Sequence, residues 1–320
     1  MLDIHGLSQA AATRIGPHIR QTPLEPSADL GRESGGAVFL KLENIQHTGS
    51  FKVRGALNRL MALDPDQRRA GIVTASSGNH GLAVAFGMNR LGIKGVIYLP
   101  EGASPLKVQM LHNLGATIRF HGSHCEVTEA HARRQAEKTG QVYISPYNDQ
   151  FVVGGQGTVG LEILDRLPLV DCIMVSVGGG GLIAGIAGVV KALRKETRIV
   201  GCLPDHSPVM AASVQAGRIL DLETRDTLSD GTAGGIEPGA ITFDPCRRLV
   251  DDWVLVTEDE IRGAMVRVFD NHRLVIEGAA GVAVAGFLKM APQLTGKTVA
   301  LVICGGNIDV TLFKRLIRSM

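Results

Sequence analysis

Residues 41–57 read Lys41-Leu-Glu-Asn-Ile-Gln-His-Thr-Gly-Ser-Phe-Lys-Val-Arg-Gly-Ala-Leu57, and the rest of the chain can be read outward from them. A glycine flanked by hydroxyl residues in Thr48-Gly49-Ser50 marks a turn that can cap a helix. The spacing of Val53, Ala56, Leu57 and Leu60 predicts a helix starting near Ser50. Lys52 then falls in the first turn, where the positive end of the helix dipole disfavours a cation. An amine whose pKa is lowered is a better nucleophile. Taken alone, Lys52 is an ordinary surface lysine; it gains weight only beside two glycine-bearing loops further along.

Upstream, Leu7, Ala11, Ile15 and Ile19 recur at helical spacing, and the helix ends before Thr22-Pro23. Residues 37–42 form a strand. Downstream, strands at 71–75, 95–99, 116–120, 142–144, 171–177, 198–203, 254–256 and 298–303 alternate with helices at 82–91, 105–114, 128–138, 151–166, 182–194, 257–273, 279–290 and from 309 onward. Thr257 with Glu260 three residues later reads as a capping box. Residues 218–250 are polar and carry no assignment beyond loop with short elements. This alternation predicts an α/β architecture of two lobes, each a mostly parallel sheet flanked by helices. Residues 47–148 would form the smaller lobe, and residues 1–46 with 149–320 the larger.

Composition narrows the function. A chain of 320 residues with 45% hydrophobic and 20% charged content is globular and long enough for two lobes. A net charge of +2 with no basic run excludes nucleic acid as an indicated partner. Cys125, Cys172, Cys202, Cys246 and Cys304 are odd in number and lack CxxC spacing, which argues against a disulfide framework and a structural zinc site. No secretory h-region or membrane-length apolar run is present, so a cytoplasmic protein with no membrane partner is expected. The 40 glycines gather in short loops, where backbone must approach something closely.

Three such loops follow predicted strands, at 76–81, 178–181 and 304–307, and open α/β sheets bind ligands at those ends. Gly178-Gly179-Gly180-Gly181 opens a helix, so its N–H groups can converge on an anion. A dinucleotide site is the rival reading, but Ile183 stands where a third glycine belongs, and the first acid after the next strand is Asp205, beyond Pro204. Ser76-Ser77-Gly78-Asn79-His80 offers hydroxyls, an amide and turn N–H groups at another helix start, either a carboxylate cradle or a plain capped helix. Cys304, ending a strand before Gly-Gly-Asn, reads alone as a small buried hydrophobe.

Together, Ser50-Phe51-Lys52, Ser76–His80, the glycine run and Cys304-Gly-Gly-Asn resemble the fold-type II pyridoxal-phosphate enzymes (tryptophan synthase β-like), and within them the serine/threonine dehydratase and serine racemase branch. The resemblance spans nearly the whole chain. It implies that Lys52 holds pyridoxal 5'-phosphate as a Schiff base, Phe51 packs on the pyridine ring and Asn79 bonds the ring hydroxyl. It implies that Gly178, Gly179, Gly180 and Gly181 bind the phosphate and that Cys304 faces the ring nitrogen. Ser76, Ser77, Gly78 and the backbone around His80 would take the substrate carboxylate. Tyr147 aligns with a cofactor-lining position, and Gly231 and Glu277 with residues closing the site. The implied reaction is α,β-elimination from L-threonine, L-serine or a related β-hydroxy amino acid. Lys52 removes the α-proton, the β-hydroxyl leaves, and hydrolysis gives a 2-oxo acid and ammonia. Ser77 on the opposite face would permit racemisation. The branch also implies a homodimer.

Two departures stand out. Leu203 and Val209 occupy positions where many relatives place ligands for an activating divalent cation, so no metal site is expected. Leu82 replaces a common glutamine, which leaves substrates beyond serine and threonine open, including those of hydroxyectoine-utilisation dehydratases. An amino-acid racemase, a nicotinamide oxidoreductase and a non-catalytic amino-acid-binding module are the competing readings.

Overall fold

In the computed structural model, which describes residues 2–318, the βα alternation resolves into two sheets. The strands are β1 (Leu24–Pro26), β2 (Ala37–Leu42), β3 (Ile72–Ala75), β4 (Gly95–Leu99), β5 (Ile118–Phe120), β6 (Val142–Tyr143), β7 (Cys172–Ser176), β8 (Arg198–Pro204), β9 (Asp252–Val256) and β10 (Thr298–Ile303). A six-stranded sheet has the order β1-β2-β10-β7-β8-β9, and a four-stranded sheet the order β5-β4-β3-β6. Every pairing is parallel except β1 with β2. That antiparallel edge was not expected from the sequence: a three-residue strand that follows Pro23 and ends in Pro26 carries no periodic signal.

Parallel strands covered on both faces read as unbroken apolar runs. All of β7, Cys172-Ile-Met-Val-Ser176, is buried, and so is β10 after its first residue. The six-stranded sheet carries one large apolar cluster, while separate, smaller clusters serve the four-stranded sheet. Helix Gly278–Met290, rich in glycine and alanine, lies close on the larger sheet; a Cβ on Gly286 would sit 2.5 Å from Cys202 Sγ.

The expected helices form, with shifted ends. The first runs Ile4–Ile15 and continues as a 3₁₀ turn, Gly16–His18, that contains Pro17. The capping box of Thr257 and Glu260 starts helix Glu258–His272. Four short helices escaped the sequence reading: Ala28–Ser34, Pro65–Ala70, Val209–Ala216 and Phe243–Leu249. Two of them carry legible caps, Ser27 accepting from Leu30 N–H and the Asp64/Gln67 capping box. They were missed because six to eight residues are too few for a period to show.

A cluster of buried charge ties the quoted stretch to the larger sheet. Arg54, fully buried, places its guanidinium 2.7 Å from Glu43 and 2.6 Å from Glu162. Lys41, buried at the end of β2, pairs with Glu162. Burial alone would weaken the Arg54 charge, but the carboxylates of Glu43 and Glu162 outweigh it and raise its pKa. Two cations and two carboxylates therefore balance inside the protein; removing one partner of such a set costs about 3–5 kcal/mol. Further along the same helix, Asn58 Nδ2 donates to Phe151 O at 2.6 Å and Arg59 pairs with Asp149 at 2.9 Å. Backbones meet there as well: a Cβ on Gly155 would lie 2.6 Å from Gly55 Cα.

Candidate active site

Lys52 is presented by tertiary contacts rather than by a local cap. Ser50 forms an isolated bridge with Gly305, and Phe51 N–H donates to Cys304 O at 3.0 Å. The helix therefore starts at Lys52, not Ser50, with Phe51 as the preceding residue and no side-chain cap. The Thr48 and Ser50 hydroxyl oxygens are buried and find no partner among the described residues. The half-buried Lys52 places Nζ 3.0 Å from Pro146 O and 5.2 Å from the centroid of the Phe51 ring. Burial lowers its pKa to about 8, against smaller upward pulls from Cys304 and Glu277. The lowered value expected from the helix dipole thus has desolvation as its main cause.

The next residue after Pro146 links this amine to the glycine run. The Tyr147 ring lies against the loop, so that a Cβ on Gly179 would come 2.5 Å from Tyr147 Cδ1, and one on Gly181 would come 3.0 Å from Tyr147 Cβ. Gly178 backs onto Thr232 at 2.9 Å by the same measure, and Gly180 takes the left-handed φ of 83°. The glycines are thus needed for close packing as well as for turning the chain. The backbone N–H groups of residues 178–183 meet no acceptor among the described residues, and the carbonyls of Gly179 and Gly180 are engaged behind the loop by Thr242, Cys246 and Ala184. A row of free N–H donors at the start of helix Gly181–Leu193 fits an anion such as a phosphate.

Asn79 begins helix Asn79–Leu91 and belongs to a network that sequence spacing could not reveal. Its Nδ2 donates to both Glu277 oxygens, at 2.8 and 3.0 Å, while its Oδ1 accepts from Asn307 Nδ2 at 2.7 Å. Asn307 N–H also donates to Glu277, at 3.2 Å. Burial raises the Glu277 pKa to about 7, partly offset by the Asn79 hydrogen bond. Cys304 is buried, and burial, reinforced by Glu277, keeps its thiol protonated.

Ser76 Oγ accepts from Gly78 N–H at 3.2 Å; Ser77 is half-buried with no hydrogen-bond partner among the described residues. The His80 ring turns inward, its Nε2 3.0 Å from Ile144 O. A carbonyl only accepts, so Nε2 carries hydrogen, and burial lowers the ring's pKa to about 3 with help from Lys52. The ring is therefore neutral, and the backbone N–H groups of residues 79–81 at the helix start have no acceptor among the described residues. Gly231 is exposed near Glu277 and has room for a Cβ, the nearest atom being 3.4 Å away. Leu203 and Val209 are core residues, and Leu82 packs with Ile97, Leu99 and Leu111. The sequence marks Pro146 only as a break in the chain and assigns no role to Asn307 or Thr242. A polar residue after Gly-Gly at a strand end is a usable signal for Asn307; the other two carry none.

A family model described as "Pyridoxal-phosphate dependent enzyme" matches residues 15–305. The L-threonine ammonia-lyase of Thermotoga maritima is 39% identical over 319 residues, covering 100% of this chain and 79% of the relative. The catabolic L-threonine dehydratase TdcB of Escherichia coli is 39% identical over 303 residues, 94% of this chain and 92% of the relative. Among solved structures, maize serine racemase matches with a TM-score of 0.92 at 33% identity, covering 98% of this chain and 97% of that one.

Proposed function

The chain belongs to the pyridoxal-phosphate dependent enzyme family, and from that premise we propose that it is a dehydratase releasing ammonia and a 2-oxo acid from L-threonine, L-serine or a related β-hydroxy amino acid. The observation that carries the reading is the Pro146-Tyr147 pair. One residue accepts from the Lys52 amine and the next packs on the glycine run, so amine and anion cradle face one cleft. The threonine ammonia-lyase and dehydratase relatives support the substrate class.

Pyridoxal phosphate, when bound, supplies the electron sink for the charge left as the α-proton departs. The N–H groups of residues 178–183 would hold its phosphate, and Lys52 would supply the amine that holds its aldehyde carbon. Once free of the cofactor, Lys52 would be the base that takes the α-proton; with a pKa lowered to about 8, a minority of it is neutral near pH 7, far more than for an ordinary lysine. Asn79, fixed by Glu277 and Asn307, would meet the ring hydroxyl. The protonated Cys304 offers the ring nitrogen no negative charge. The free N–H groups at the start of helix Asn79–Leu91 take the substrate carboxylate. Ser77, committed to no partner among the described residues, favours a second reading, a racemase activity in which its hydroxyl delivers a proton to the opposite face.

The same proposal includes a homodimer, a cytoplasmic location, and residues 47–148 acting as a small lobe against the remainder. No helix among the described residues is long and apolar enough to cross a membrane. The test is the purified protein's visible absorption before and after borohydride, with 2-oxo acid and D-amino acid measured from L-threonine and L-serine. Lys52→Ala should lose both the borohydride-sensitive colour and turnover; a Lys52→Ala protein that still dehydrates threonine refutes the reading.

A further inference from the structure

We propose that Thr242 is a positioning residue for the phosphate: its hydroxyl, donated to Gly179 O at 2.7 Å from behind the loop, turns the Gly180 N–H into the cleft. This rests on the cofactor reading above and adds a residue and a mechanism to it.

A trans peptide carries its C=O and N–H on opposite sides. The Gly179 carbonyl points to Thr242, so the Gly180 N–H points away from it. The Gly180 carbonyl is held in the same manner by Ala184 N–H at 2.9 Å and faces Cys246 Sγ at 3.9 Å, which turns the Gly181 N–H to the same side. Peptides flanked by glycine rotate at little cost, so four glycines in a row do not keep this orientation by themselves. The hydroxyl supplies the missing constraint.

Thr242 forgoes a local bond to do this. It precedes helix Phe243–Leu249, where a threonine side chain commonly accepts from the first turn, yet its backbone is already helical and it makes no cap hydrogen bond. It is fully buried, and its surroundings fix it. Ile241 N–H donates to Asn148 Oδ1 at 2.8 Å, and Glu237 N–H to Tyr147 Oη at 2.9 Å. Tyr147 and Thr242 thus grip Gly179 from different directions, and the segment 237–242 is held to the residues that follow Pro146.

The test compares apoprotein binding of pyridoxal phosphate with binding of pyridoxal, which forms the same link to Lys52 but lacks the anion. Thr242→Val should weaken pyridoxal phosphate by about tenfold, the scale of one hydrogen bond, and leave pyridoxal unchanged. Thr242→Ser should restore the preference, and the ³¹P resonance of the bound cofactor should shift in Thr242→Val but not in Thr242→Ser. Thr242→Ala serves as a second variant if valine disturbs folding, with the same phosphate-selective loss expected. Unchanged pyridoxal phosphate affinity in the folded variants, or equal losses for both ligands, overturns the proposal. A wild-type apoprotein with no preference between the two ligands instead overturns the cofactor reading itself, a result recognisable without any variant.

Discussion

The loops at 76–81 and 178–183 are built alike, each a glycine-bearing turn from a parallel strand into a helix, and they differ in how tightly the protein grips them. The second is held on every side: Tyr147 and Thr232 against its Cα atoms, Thr242 and Cys246 against its carbonyls. The first is anchored at its helix end, by Asn79 to Glu277 and Asn307 and by Gly81, where a Cβ would lie 2.0 Å from Ser76 O, and has slack only at Ser77 and Gly78. A Cβ on Gly78 would meet nothing nearer than Ser76 Oγ at 4.0 Å, and the Ser77 hydroxyl has no partner among the described residues. A resident group that stays through every turnover suits the rigid cradle. A substrate that arrives and leaves suits the loose one, since local order has to be gained and lost in each cycle.

The largest expected effect concerns the amine facing both loops. Below about pH 8 Lys52 holds a proton and cannot attack the cofactor's aldehyde. The rate of cofactor capture by apoprotein should therefore rise about tenfold per pH unit up to 8, about a hundredfold from pH 6, and flatten above it. A stopped-flow profile still climbing towards the ordinary lysine value of 10.5 breaks the picture of a desolvated amine. Next comes Gly179→Ala, which must displace the whole Tyr147 ring. Overpacking of about 2 kcal/mol predicts about 30-fold weaker cofactor affinity by equilibrium titration. Smallest is Gly78→Ala, whose backbone angles any residue adopts and whose Cβ has room; cofactor affinity should stay within about twofold. Equal losses for the two alanines would erase the contrast between the loops.

Most of the architecture was legible in the sequence because long apolar periods and glycines at strand ends are strong local signals. Every strand but β1, and three loops at the strands' carboxyl ends, were read from spacing alone. What failed was wherever a distant partner overrode a local rule. The hydroxyls beside Gly49 suggested a cap, but Phe51 N–H goes to Cys304 and Ser50 pairs with Gly305, some 250 residues away in sequence. The network of Asn79, Glu277 and Asn307 spans 198 and 228 residues, and no spacing encodes it. Residues 218–250 looked featureless because their order comes from contacts with Tyr147, Asn148 and Gly179 rather than from periodicity.

The charges buried around Arg54 fix where the molecule can bend. Glu43 and Glu162 flank the six-stranded sheet, and together with Asn58–Phe151, Arg59–Asp149 and the Gly55–Gly155 approach they fasten helix Lys52–Met61 to helix Gln150–Arg166 along most of its length. Any swing of the four-stranded sheet would accordingly have to leave this helix in place and pivot beyond Met61. The reacting nitrogen is thereby tied to the same framework as the anion cradle, one fixed origin for the chemistry.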